Sequence, residues 1–222
     1  MFNTQPIAGV IQYLLQTHHP RAIIVTGSYA DGTYNKASDF DCWLIGQDEK
    51  RALCDTSIVN GIELQAEIYP QAYFESMTLY WLRYFVDAII VYDPEGLAEK
   101  FLQNTQEKLA AYPCMPPKQK EQAIAYLEKM LRRASTQDIH GDYRGHLMLA
   151  QSLESWCDLS DRIFLGPKKT LRLMEAADPA STAIYRRALR SFDAEDMCAW
   201  IRHLRVIYES NLAREFRILQ KG

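Results

Sequence analysis

Three prolines, Pro113, Pro116 and Pro117, fall within one five-residue stretch of the 222-residue chain. Each lacks a backbone donor and fixes φ, and the residue before each is pushed away from helical geometry. No helix or strand is therefore expected to cross Tyr112–Pro117, and the chain is expected to fold as two domains, residues 1–112 and 118–222. The two stretches also differ in pattern. Before the prolines, short apolar runs alternate with helical ones. After them, strand signals vanish and five helices are expected over 118–139, 142–164, 168–176, 180–190 and 193–219. Charge follows the same division: residues 1–117 carry 7 Lys/Arg and 14 Asp/Glu, whereas residues 118–222 carry 18 and 14. An acidic half followed by a basic half suggests two units with different tasks.

In the first half, helical spacing of Ile7, Val10, Ile11, Leu14 and Leu15 predicts a helix over 6–19. Ala22–Val25 reads as a buried strand ending in the turn Thr26-Gly27-Ser28. A second strand is expected over Asp39–Ile45, stopped by Gly46. Ile62 to Tyr69 alternates apolar and polar residues and reads as a strand with one buried face. An aromatic-rich helix is expected to follow as far as about Phe85. A fourth strand at Ala88–Tyr92 is closed by Asp93-Pro94, and residues 95–111 return to helix. The expected class is α+β: a small mixed sheet with flanking helices, then an all-α bundle. Asp193 and Asp196 at the start of the last helix, and Arg214 and Arg217 near its end, suit the helix dipole.

Composition narrows the function classes. Hydrophobic residues make up 48% and charged residues 24%, a globular balance that argues against disorder. A net charge of −3 argues against a nucleic-acid coat. Five scattered cysteines with no CxxC pair read as reduced thiols of a cytoplasmic protein. No spaced Cys/His set suggests zinc, and no apolar run is long enough to span a membrane.

One segment carries chemistry: Gly27-Ser28, ten residues, then Asp39-Phe40-Asp41. Two carboxylates two apart on a strand project to one face. Side by side they repel, unless a counter-charge lets both ionise. Hard Mg²⁺ prefers oxygen ligands and keeps substrate phosphates in its shell, which suits phosphoryl chemistry. Gly27-Ser28, between a strand and a helix start, offers close backbone approach to an anion.

This pattern resembles the signature of the nucleotidyltransferase superfamily shared with DNA polymerase beta. The resemblance implies a third acid on a neighbouring strand in an apolar-acid-apolar setting. Ala66-Glu67-Ile68 fits that description, with Glu63 as second choice earlier on the same face. It covers residues 22–92 well and is weak as sequence beyond 118. Length and two-domain layout are similar to the antibiotic nucleotidyltransferases that act on aminoglycosides or lincosamides. The implied roles follow. Asp39, Asp41 and Glu67 are the catalytic, metal-binding acids for one or two Mg²⁺; Gly27 and Ser28 hold the β and γ phosphates; Lys168 and Lys169, in a basic loop of the helical domain, grip the triphosphate.

The expected function is transfer of a nucleoside monophosphate, AMP first, from a triphosphate such as ATP to a hydroxyl of a small molecule such as an aminoglycoside, hence antibiotic resistance. The partners expected are that acceptor and a second copy in a homodimer, with neither membrane nor nucleic acid. Two alternatives are a protein-adenylylating antitoxin and a catalytically silent nucleotide-binding relative. Trp156, Tyr185, Phe192 and Trp200 are expected in the core of the helical half.

Overall fold

The computed structural model describes residues 5–47, 52–136 and 138–219, with side chains over 6–47, 52–136 and 138–213. The chain divides into two compact units, Met1–Tyr112 and Pro113–Gly222.

The first unit opens with α1 (Gln5–His18), followed by β1 (Ala22–Val25), α2 (Gly27–Asp31) and β2 (Phe40–Gly46). Next come three strands: β3 (Leu53–Asp55), β4 (Ile58–Val59) and β5 (Ile62–Pro70). The unit closes with α3 (Gln71–Glu75), α4 (Leu79–Leu82), a 3₁₀ turn at Arg83–Phe85, β6 (Ile89–Tyr92) and α5 (Leu97–Ala110). The sheet order is β3-β5-β2-β1-β6, with β4 paired to β5. β2 and β5 run parallel; β1–β2, β1–β6 and β3–β5 are antiparallel, so the sheet is mixed.

Alternation along the strands sends side chains to two cores. Ile23, Val25, Phe40, Cys42, Leu44, Leu64, Ala66 and Ile68 pack with Ile7, Val10 and Leu14 of α1. On the other face Ala22, Ile24, Trp43 and Ile45 pack with Phe74, Leu82, Phe85 and Phe101. Both cores are needed because the central strands β1 and β2 are buried on both faces.

Three local features differ from the sequence reading. β2 begins at Phe40, so Asp39 lies one residue before the strand rather than on it. The aromatic-rich helix is broken, because Thr78 is extended (φ −76°, ψ 161°) between α3 and α4. Phe74 on one side of the break, and Leu82 and Phe85 on the other, all reach one core. The hairpin β4–β5 was not anticipated; it turns at Asn60-Gly61, both at positive φ (52° and 79°), where asparagine and glycine are the tolerant residues.

A polar staple ties the end of α1 to β3. Asp55 Oδ2 lies 2.7 Å from His18 Nε2 and accepts from the Tyr13 hydroxyl at 3.2 Å, while Asp55 Oδ1 accepts from the Ser57 backbone N–H at 2.9 Å. Burial alone would raise the Asp55 carboxyl, but hydrogen bonds from Ser57, His18 and Tyr13 outweigh it and hold the group down at about 2. A depressed carboxyl contributes stability that is present above its unfolded value and is lost as pH falls through the folded one. Between about pH 4 and 2 the protein should thus lose on the order of 1–2 kcal/mol that Asp55→Asn, already weaker at neutral pH, does not lose. Urea denaturation of both proteins across that window checks this; parallel curves would reject it.

The second unit is helical: α6 (Pro117–Ala134), α7 (Ile139–Leu159), α8 (Pro167–Ala177), α9 (Pro179–Ser191) and α10 (Ala194–Leu219). Asp138 and Asp178 accept from the Gly141 and Ser181 backbone N–H groups and cap α7 and α9; Asp193 accepts from Asp196 N at the start of α10. Arg214 and Arg217 lie outside the described side chains. Trp156, Tyr185 and Trp200 are buried in this core, and Phe192 packs against it. No helix among the described residues is long and apolar enough to cross a membrane.

Candidate active site

The site is built where β1 ends beside the start of β2. The Thr26 backbone N–H donates to the Asp41 carbonyl at 3.0 Å, which fixes the β1–α2 corner against β2. Gly27 follows at φ 63°, a left-handed conformation that costs an L-residue roughly 1–2 kcal/mol. A Cβ there would also overlap the Asp41 carboxylate. Glycine is thus required twice, for its backbone angle and for the space that the acid fills. Gly27→Ala should lower turnover by about tenfold or more, because the methyl displaces Asp41 while most of the fold persists. Unchanged steady-state kinetics would show that the carboxylate moves aside freely.

Ser28 lies in the first turn of α2, and its carbonyl accepts from the backbone N–H groups of Thr33 (2.9 Å) and Tyr34 (3.1 Å). The loop between the two halves of the motif is closed by its own bonds: Ser38 N–H to the Asn35 carbonyl at 3.0 Å and Asn35 N–H to Ser38 Oγ at 2.9 Å. Asp39 is exposed and Asp41 is half-buried.

The parallel pairing of β2 and β5 decides which polar residues stand beside Asp41. Asp41 is opposite Gln65, and Glu67 is opposite Trp43. Glu63 and Glu67 therefore flank Gln65, one period to either side, on the same face of the strand. Glu67 Oε1 accepts from Gln65 Nε2 at 3.1 Å, and the same amide donates to Cys54 Sγ at 3.2 Å. Cys54, opposite Glu67 on β3, is raised by burial first, then by the Glu67 charge and a hydrogen bond to it. Tyr69 is likewise raised by burial, then by Glu67 and by Tyr73. The carboxylate is thus surrounded by donors from its own strand and the next. Gln65, Tyr69 and Cys54 were not singled out as site residues in the sequence. Gln65 and Tyr69 were visible only as the polar side of an alternating strand, and Cys54 lies on a three-residue strand with no pattern to read.

Lys168 and Lys169 belong to the second unit, where they open α8; Lys168 is exposed and Lys169 half-buried. Among the described residues, no group of three or more His, Cys, Asp or Glu side chains is gathered to hold a metal ion. Mg²⁺, however, commonly uses one or two protein carboxylates and completes its shell with water and phosphate oxygens. Asp41, an oxygen donor against Gly27, and Asp39 two residues before it offer donor chemistry that fits that requirement.

A nucleotidyltransferase domain family model matches residues 7–128, more than half of the chain, and the chain belongs to that family. It is accordingly a nucleotidyltransferase. No curated protein matches it in sequence. Among solved structures it is similar to a nucleotidyltransferase-like protein from Exiguobacterium sibiricum, at 9% identity and TM-score 0.46, over 97% of this chain and 80% of that one. It is also similar to a toxin–antitoxin structure with AMP-PNP, at 18% identity and TM-score 0.31, over 47% of this chain and 90% of that one.

Proposed function

We propose that the protein transfers a nucleoside monophosphate, AMP first, from a nucleoside triphosphate to a hydroxyl of a small polycationic molecule of the aminoglycoside type. The observation that carries the reading is the Asp41 carboxylate held against Gly27 at the β1–α2 corner, in a chain of this family. Asp39 and Asp41 would hold a divalent cation, Mg²⁺ by donor chemistry, which when bound neutralises charge on the phosphoryl oxygens. Gly27 and Ser28 receive the β and γ phosphates. Glu67 takes the acceptor hydroxyl's proton as its oxygen attacks the α-phosphorus, and the bond to the β-phosphate bridge breaks to release pyrophosphate. The acidic surplus of residues 1–117 favours a cationic acceptor over an anionic one.

The test is pyrophosphate release from ATP with Mg²⁺, with and without a panel of aminoglycosides. Drug-dependent release supports the proposal. Label transferred instead to a co-purified protein, with no drug dependence, would replace the acceptor.

The two flanking acids separate by mutation. Glu67→Gln should lower turnover by about 10²–10⁴-fold, the usual range for a proton-transfer group, while Glu63→Gln stays within about threefold of wild type. The reverse ranking would move the role to Glu63.

A further inference from the structure

The two strands that carry the acids change character in the same direction, one strand period apart, with Trp43 opposite Glu67. On β2, Asp41 is followed on its own face by Trp43; on β5, Glu67 is followed by Tyr69. Each step is about 7 Å along the strand. From there a continuous set of rings leads away from the acids. Trp43 stacks with Tyr69 at 5.9 Å, Tyr69 stacks with Tyr73 at 4.0 Å, and Trp43 meets the Trp81 ring edge-on at 6.3 Å. Trp81 in turn touches Tyr80 at 5.4 Å and Tyr84 at 5.8 Å. The Arg83 guanidinium lies 3.9 Å over the Tyr80 ring.

Most of the inner rings are used up by packing: Trp43 is 8% exposed, and Tyr69 lies between Trp43 and Tyr73. Trp81 differs. It is 40% exposed although three neighbouring rings hold it. A large ring fixed in place yet open to solvent loses little conformational freedom when another flat ring stacks on it.

We propose that Trp81 is the stacking platform for the base of the nucleoside triphosphate, placed by Trp43 on the same face as Asp41. This rests on the nucleotidyl-transfer reading, which supplies a ligand with phosphates at one end and a π-face at the other. Stacking tolerates any base, so the platform favours nucleotides as a class and leaves selection among bases to other contacts. The exposed Tyr34, by contrast, stacks on Tyr29 (4.4 Å), whose side chain joins the core on the α1 face, opposite to Trp43.

The test compares two probes with the full chain in Mg²⁺: ATP, and inorganic tripolyphosphate, which lacks a base. Binding is read by calorimetry for wild type, Trp81→Ala, Trp81→Phe and Tyr34→Ala. Trp81→Ala should weaken ATP about 5- to 150-fold, the range for losing one stacked base, with tripolyphosphate unchanged. Trp81→Phe should recover most of the loss, and Tyr34→Ala should change neither probe.

Equal weakening of both probes by Trp81→Ala would overturn the platform and leave Trp81 a fold-supporting residue. Selective loss of ATP in Tyr34→Ala would move the base to the other side. A fall in solution mass on Trp81→Ala, with ATP affinity intact, would make the ring a self-association surface and overturn the inference. Wild type that binds neither probe would sink the transfer reading itself, whereas ATP binding indifferent to Trp81 sinks only the platform.

Discussion

Asp41→Asn is expected to lower nucleotidyl transfer by about a thousandfold, with stability within about 1 kcal/mol of wild type. Asparagine has nearly the volume of aspartate, so the space beside Gly27 stays filled and the β1–α2 corner keeps its place. The Thr26 backbone bond to the residue-41 carbonyl also survives, because it uses only main-chain atoms. What disappears is the charge. The transferring phosphoryl group is anionic throughout, and in the proposed reading a cation held by two carboxylates would lose half of that holding charge. The loss should therefore be in turnover rather than in folding. Wild-type and variant proteins compared by pyrophosphate release and by thermal unfolding would show it. A variant that folds and turns over at the wild-type rate would take Asp41 out of the mechanism.

Trp200→Ala is expected to cost the second unit about 3–5 kcal/mol, the usual range for removing a large buried aromatic side chain. Trp200 is fully buried, donates its indole N–H to Ser152 Oγ at 2.7 Å, and packs against Tyr185 at 4.8 Å. Truncation opens a cavity in the middle of the helical core and removes the partner of a buried hydroxyl. A domain with a typical total of about 5–15 kcal/mol has little left after such a loss. Trp200→Phe should cost distinctly less, since it keeps most of the volume and loses only the hydrogen bond. Chemical denaturation followed by circular dichroism reports both. A penalty under about 1 kcal/mol for alanine would mean that the surrounding helices collapse into the space, contrary to the rigid packing described.

What the sequence made legible follows from where physical constraints are local. Ala22–Val25 is a strand with the bounds expected, because an uninterrupted apolar run between Pro20 and Gly27 has little choice but a doubly buried strand. The start of the helical half was readable because proline leaves so few alternatives. The turn at Gly27 was readable because its left-handed backbone demands glycine. The hairpin at Asn60-Gly61 was equally readable by that logic, and the two-residue turn chemistry was there to be used.

Other features were not legible from one strand at a time. Which residue stands beside Asp41 depends on the β2–β5 register, a relation between strands about two dozen residues apart. Alternation alone offered Glu63, Gln65 and Glu67 on one face without ranking them. The break at Thr78 lies between residues that share a core with β1, β2 and α5.

That register has a consequence for how the chemistry is conserved in geometry as the chain varies. A strand repeats every second residue, so sliding β5 by one position would turn Leu64, Ala66 and Ile68 out of the α1-side core and send Gln65 and Glu67 into it. The oil beneath the sheet thereby acts as the alignment jig for the acids above it. Apolar substitutions far from any substrate can detune the enzyme by loosening that jig, and polar ones on the upper face can be explored without the strands losing their place.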